Sequence, residues 1–263
     1  TPEAEEAAFT AEERALLSEV SQPLLLWYDK AKRDLPWRQE ITPYRTWLSE
    51  IMLQQTRVEA GKDYFLRFVR ALPDVEALAN APDELLMKLW EGLGYYSRAR
   101  NLKKAAGVVM ERYSGKIPSD YEELLGLPGI GSYTAGAISS IAFQKPNPAV
   151  DGNVLRVVMR LLARRDDIAK DSVKKTVERE LRQVMARGEA NRRPGDFNQG
   201  LMELGATVCI PNGQPRCQDC PWKEACRARA LGIAGELPVK QAKKKRRIEK
   251  KTVFLLWDEA GRL

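Results

Sequence analysis

Apolar positions recur along most of this chain at the three- and four-residue spacing of an amphipathic helix, not at the alternation of a strand. Residues 12–32 carry the first such pattern, and Leu35-Pro36-Trp37 breaks it. Over 46–72 it returns, through Trp47, Leu48, Ile51 and Met52 and then Phe65, Phe68, Val69 and Leu72. Pro73-Asp74 and Ala81-Pro82-Asp83 are turn and helix-start signals that bracket a short helix. Further helices are predicted over 83–91, 97–113, 121–126, 132–143, 153–162, 171–185 and 197–207. The predicted fold class is therefore all-α, with short loops. A β-like run comes only at Thr252 to Trp257, followed by the turn-like Asp258-Glu259-Ala260-Gly261. A lone strand is not stable by itself. The run reads as the start of a further α+β domain that has been cut away.

Composition narrows the chemistry more than the fold. With 263 residues, 44% of them hydrophobic, the chain can bury a sizeable core. It has no apolar run of the roughly 20 residues a membrane span needs. The acidic start Thr1-Pro2-Glu3 lacks the order of a signal peptide. A cytoplasmic protein, nucleoid-associated if bacterial, is the expectation. Histidine is absent, which excludes Ser-His-Asp triads, Cys-His pairs and HExxH zinc sites. Any general acid or base must then be a carboxylate, lysine, tyrosine or thiol. The net charge of +7 is accounted for by one stretch, Lys240 to Lys251, which holds eight Lys/Arg and one Glu. Such a run suits nucleic acid, and it equally suits a solvated linker between domains.

All four cysteines fall in one short loop, Cys209, Cys217, Cys220 and Cys226, spaced C-x7-C-x2-C-x5-C. In a reducing compartment such clustering points to thiolate metal binding, since disulfides are rare there. Both zinc and a [4Fe-4S] cluster accept four thiolates. The short, uneven spacing, with Pro221 directly after Cys220, suits the iron–sulfur cluster better. Its expected role is to staple a loop that has few apolar residues.

Two carboxylates and one turn complete the candidate chemistry. Leu127-Pro128-Gly129-Ile130-Gly131 lies between two predicted helices and runs into Ser132-Tyr133-Thr134. Its glycines permit a tight turn whose backbone N–H groups face outward beside a helix start, an arrangement that binds phosphate. A bare Pro-Gly-x-Gly is more often an ordinary turn. Glu50 lies mid-helix with Trp47 and Leu53 three residues to either side. Apolar neighbours of that kind would raise its pKa and make it a proton donor near neutral pH. Asp151 precedes a predicted helix, where it reads as an ordinary N-cap and also as a carboxylate kept ionised by the helix dipole. One carboxyl kept protonated and one kept charged is the pairing that cleaves glycosidic bonds.

These motifs together resemble the helix-hairpin-helix base-excision glycosylases of the endonuclease III superfamily, and most closely its MutY-type adenine DNA glycosylases. The resemblance runs from about Pro36 to Cys226. It rests on Pro36-Trp37-Arg38, on Ser49 to Thr56 (SEIMLQQT), on Gly92 to Leu102 (GLGYYSRARNL), on the hairpin, on Val150-Asp151-Gly152-Asn153 and on the cysteine loop. It implies a six-helix barrel over 36–146 that carries Glu50 and the hairpin. A cluster subdomain would be formed by 1–35 and 147–235, then a basic linker over 236–251. The stretch 252–263 would begin a truncated C-terminal domain that reads 8-oxoguanine.

The resemblance also implies roles. Glu50 would protonate adenine and later activate water. Asp151 would stabilise the oxocarbenium-like sugar, with Tyr133 and Asn153 in support. Arg33, Trp37, Arg38, Leu53, Val58, Gln199 and Met202 would line an adenine pocket. Gln55, Thr56 and Tyr95 would enter the duplex, and Gly129, Gly131 and Ser132 would meet its backbone. Bifunctional relatives carry lysine at the position of Tyr133, and a phenol cannot form their Schiff base. A monofunctional, monomeric enzyme acting on duplex DNA with A·8-oxoguanine or A·G mispairs is the reading that follows. This chain departs from the family in the seven residues between its first two cysteines, where six are usual. A G·T-mismatch thymine glycosylase and a non-catalytic iron–sulfur DNA-binding protein are the rival readings. The segment after Pro238 argues against the first, and the presence of both Glu50 and Asp151 against the second.

Overall fold

The computed structural model describes residues 8–241 and Thr252, and these are helical with no strand among them. Beyond Thr252, the expected strand over 252–263 lies outside the described residues, as does the basic run after Gln241. Within them no helix is long and apolar enough to cross a membrane.

The pattern over 12–32 is two helices, α1 (Ala11–Glu19) and α2 (Ser21–Ala31), rather than one. Pro23 has no N–H to give to the carbonyl four residues earlier, so the first helix ends there. Thr10 and Glu13 close α1 with a reciprocal capping box. Pro36 ends the preceding segment as predicted but also opens a short helix, α3 (Pro36–Gln39), as its first residue. The run over 46–72 likewise divides into α4 (Pro43–Met52) and α5 (Val58–Ala71), separated by a loop that holds Gln55 at φ 60°.

Beyond it come α6 (Val75–Asn80), α7 (Asp83–Trp90), α8 (Ser97–Tyr113), α9 (Tyr121–Leu125) and α10 (Ser132–Ala137). The last of these widens into a π-helical turn, Ile138–Ala142, where a plain α-helix to 143 was expected. Next are α11 (Gly152–Leu162), α12 (Asp171–Met185), α13 (Gly188–Arg192) and α14 (Pro194–Thr207). A 3-10 turn at Cys217–Asp219 and α15 (Arg227–Ala230) flank the last cysteines. Short α13 and α15 have too few periodic positions to announce themselves in sequence.

Two buried cores organise these helices. One draws on residues 35–138 and is rich in large aromatics: Trp37 meets Phe65 edge-on at 5.6 Å, and Phe68 meets Trp90 at 6.1 Å. The other draws on Phe9 to Leu25 and on Val150 to Trp222. At its centre α11 is buried at every position from Val154 to Leu162. Its two internal arginines spend their donors on backbone carbonyls, Arg156 on Cys209 and Gly205 and Arg160 on Leu237 and Ile210. A narrow seam of Ala137, Ile141 and Ala149 joins the cores. Gly136 makes that seam possible, because a Cβ there would stand 2.0 Å from the Pro148 carbonyl oxygen.

Candidate active site

A cleft of about 520 Å³ opens where the two cores meet. Its walls come from the loop after α2, from α3, α4 and the loop that follows, from α10, from the start of α11 and from α14. Glu50, Tyr133, Asp151 and Asn153 all face it. So do Arg33, Trp37, Arg38, Leu53, Val58, Gln199 and Met202, and so do Gln55 and Thr56.

The polar centre of the cleft is closely paired. The Tyr133 hydroxyl donates to Glu50 Oε2 at 2.6 Å and lies 3.3 Å from Met202 Sδ. Burial pushes the Glu50 carboxyl up to about 7. The Tyr133 hydrogen bond and the Arg38 charge pull it down, and the Asp151 charge pushes it further up. Trp47 is not the cause foreseen from its spacing: it is buried in the aromatic core, while Thr46, Ser49 and Leu53 share the cleft with Glu50. Burial, with Glu50 and Asp151 alongside, holds the Tyr133 phenol well above its ordinary pKa.

Asp151 does cap α11. Its Oδ1 accepts from the Val154 N–H at 2.8 Å and its Oδ2 from Asn153 Nδ2 at 2.7 Å. Asn153 Oδ1 in turn accepts from Arg156 at 2.8 Å. Capping α11 leaves Asp151 at the cleft wall.

Glu203 was not foreseen. It is 1% exposed, and it accepts from Arg33 Nε at 2.5 Å and from Arg38 Nη2 at 2.8 Å. Burial would raise its pKa, but the hydrogen bonds and charges of the two guanidinium groups outweigh it and the pKa is lowered. Arg38 also donates to Gln199 Oε1 at 3.1 Å. The signal was available: Gln199, Met202, Glu203 and Ala206 follow helical spacing along one face of α14 and all line the cleft.

The remaining expected residues lie outside the cleft. Tyr95 is 61% exposed at φ 48°. Gly129 takes φ 78°, and a Cβ on it would meet Asn101 Cβ at 2.8 Å, so the turn needs glycine there. Gly131 needs none: it is the extended N-cap of α10 with open space at its Cβ position. The Ser132 hydroxyl donates to Glu178 of α12 at 2.8 Å.

At the other end of α11, all four cysteines line one small apolar cavity, and none is in a disulfide. Arg160 Nη1 donates to Cys209 Sγ at 3.3 Å and the Trp222 N–H to Cys220 Sγ at 3.4 Å. Burial pushes the Cys220 thiol up to about 12, so a thiolate there needs a cation of its own. Among the described residues no three Cys, Asp or Glu side chains close into a group fit for a single metal ion.

The fold, with its turn between α9 and α10 and its inter-core cleft, is that of a helix-hairpin-helix protein. Residues 48–183, just over half the chain, match the family described as HhH-GPD superfamily base excision DNA repair protein, and the chain belongs to that family. The chain is similar to the adenine DNA glycosylase of Rattus norvegicus, 46% identical over 214 residues, which cover 78% of this chain and 40% of that protein. The adenine DNA glycosylase of Buchnera aphidicola subsp. Schizaphis graminum is 37% identical over 237 residues, covering 90% and 67%. The chain thus spans about 40% of the length of its mammalian relatives. Among solved structures, a thermostable thymine-DNA glycosylase superposes with a TM-score of 0.70 at 27% identity, over 84% of this chain and 98% of that one. An endonuclease III–DNA complex superposes at 0.68 and 24% over the same shares, a likeness of fold alone.

Proposed function

We propose that this chain is a monofunctional adenine DNA glycosylase, hydrolysing the N-glycosidic bond of adenine mispaired with 8-oxoguanine or guanine in duplex DNA. The observation that carries the reading is the 2.6 Å Tyr133–Glu50 hydrogen bond, which holds a carboxyl of pKa about 7 across one cleft from Asp151. The nucleotide would flip out of the stack into this cleft. Glu50, protonated, gives its proton to adenine, and the bond from the base to C1′ breaks with its electron pair leaving on the base. Asp151, oriented by Asn153, sits against the positive charge that develops on the sugar. Water then adds at C1′ and returns a proton to Glu50. Tyr133 keeps the Glu50 carboxyl in place, and no amine stands there to cut the strand.

Arg33, Trp37, Arg38, Leu53, Val58, Gln199 and Met202 would hold the base, with Glu203 fixing the two arginines. Gln55, Thr56 and Tyr95 would sit beside the opposing base, and Gly129, Gly131 and Ser132 against the DNA backbone. Cys209, Cys217, Cys220 and Cys226 line one small cavity, and their short, uneven spacing with Pro221 directly after Cys220 suits a [4Fe-4S] cluster better than zinc. The cluster would staple the 209–226 loop. We place the barrel at 36–146 and the cluster subdomain at 1–35 with 147–235, in a cytoplasmic monomer. The likeness to a thymine-DNA glycosylase favours one second reading, excision of thymine from G·T mispairs. Single-turnover assays on A·8-oxoguanine, A·G and G·T duplexes separate the two. Free adenine without strand cleavage is expected, and thymine release in its place would overturn the proposal.

A further inference from the structure

Arg98 stands near the start of α8, half-buried, with no carboxylate paired to it among the described residues. Its guanidinium instead gathers carbonyl oxygens from the C-terminal end of α4 and the loop after it, and from the loop before α8. Nη1 donates to Ile51 at 2.9 Å, Met52 at 3.1 Å and Gln54 at 2.6 Å. Nη2 donates to Leu93 at 3.0 Å and Gly94 at 3.2 Å. Nε is buried without a partner, an unusual cost for a donor. The fork is oriented wholly toward the carbonyls. Its plane is near the rings of Trp90, at 5.4 Å, and Tyr95, at 5.6 Å. The first loop carries the end of α4, whose exposed carbonyls favour a cation.

Both loops carry a non-glycine residue in the left-handed region, Gln55 at φ 60° and Tyr95 at φ 48°. Such a backbone persists only where its surroundings over-determine it. Both loops also present side chains outward, Gln55 exposed and Tyr95 61% exposed. We propose that Arg98 is the positioning residue that fuses these two loops into one rigid wedge, fixing how Gln55, Thr56 and Tyr95 meet the base opposite the extruded nucleotide. This rests on the proposed function, in which the loops face the duplex. Lysine can replace it only in part, since an ammonium offers three donors from one point where the guanidinium offers a planar fork.

The test uses the whole chain as wild type, Arg98→Met and Arg98→Lys. One duplex carries adenine opposite 8-oxoguanine, a second carries adenine opposite an abasic site, and each has 2-aminopurine beside the adenine to report unstacking. On the first duplex, at saturating enzyme, excision and the unstacking signal should both fall in Arg98→Met. The expected loss is about 10- to 100-fold in rate, the scale for misplaced groups away from the chemistry. On the second duplex, where no opposing base engages the wedge, excision should stay near wild type. Arg98→Lys keeps the charge and most of the stem, so it reads the same ratio if the methionine variant does not fold, and it should recover only part of the loss. Equal losses on both duplexes, or none on either, would overturn the proposal. Should wild type release no adenine at all, the proposed function fails, while the unstacking signals of the three proteins still decide the role of Arg98.

Discussion

The cleft and the cysteine cavity lie at opposite ends of α11, and they are built in opposite ways. The cleft gathers side chains from Arg33 to Ala206 and packs them as paired polar groups, Tyr133 on Glu50, Asn153 on Asp151 and two arginines on Glu203. The cysteine cavity takes all its sulfurs from 209–226 and is lined mostly by apolar groups. A site assembled over so long a stretch depends on the whole fold. A site confined to one loop can instead be what holds that loop together. Substitutions should therefore separate: those at Glu50 and Tyr133 should change chemistry at constant fold, those at the cysteines should change fold first, and the buried Glu203 pair should cost stability as well.

The largest expected effect is at Glu50. Glu50→Gln should bind duplex normally yet lose excision by at least about two orders of magnitude, the usual scale for a general acid. Its stability should move the other way. The folded carboxyl has a pKa raised above its unfolded value of 4.5, so the fold favours the protonated form. Wild type then loses stability as pH rises from that value through about 7, whereas the glutamine variant does not. Chemical denaturation at pH 8 should show Glu50→Gln more stable than wild type by up to about 3 kcal/mol, and no more stable at pH 4. A variant destabilised at both values would break the comparison.

Cys217→Ser or Cys220→Ser should give a protein that is colourless and melts earlier, while the fraction that remains folded excises adenine at a near-native rate. Wild type should be brown. A colourless wild type holding stoichiometric zinc would replace the cluster with a single ion. Glu203→Ala should cost about 3 kcal/mol, the low end for breaking a buried pair, since Arg33 is about one third exposed. Because the Glu203 pKa is depressed, that contribution is present above the unfolded value and lost as pH falls through the folded one, so the difference between wild type and variant should shrink in acid. The smallest effect is a gain: Tyr133→Lys should trap faintly on DNA with borohydride where wild type does not.

Sequence carried these two sites unequally, for the same reason. Cys209 to Cys226 announce themselves by local spacing alone, and the N-cap position of Asp151 follows from its place before a helix. Glu50 could be singled out, and burial does raise its pKa, but helical spacing cannot say that Trp47 turns into the core while Thr46, Ser49 and Leu53 face the cleft. The spacing of Gln199, Met202 and Ala206 could place Glu203 on the cleft face, but its pairing depends on α2 and α3 bringing Arg33 and Arg38 beside α14, a juxtaposition across some 165 residues that no local pattern encodes. The helices were legible where their apolar stripes are long, as in α8 and α12. They were misjudged where a single backbone group decides: Pro23 splitting α1 from α2, Pro36 opening α3, and the left-handed Gln55 parting α4 from α5.

The central claim is that Glu50 delivers a proton to the leaving base, and the pH dependence of single-turnover excision tests it most directly. On an A·8-oxoguanine duplex, the wild-type rate should be level on the acid side and fall above about pH 7, as the carboxyl ionises. The residual rate of Glu50→Gln should show no such limb. A wild-type rate that stays level from pH 6 to 9, or a glutamine variant that keeps the same alkaline fall, would contradict the account.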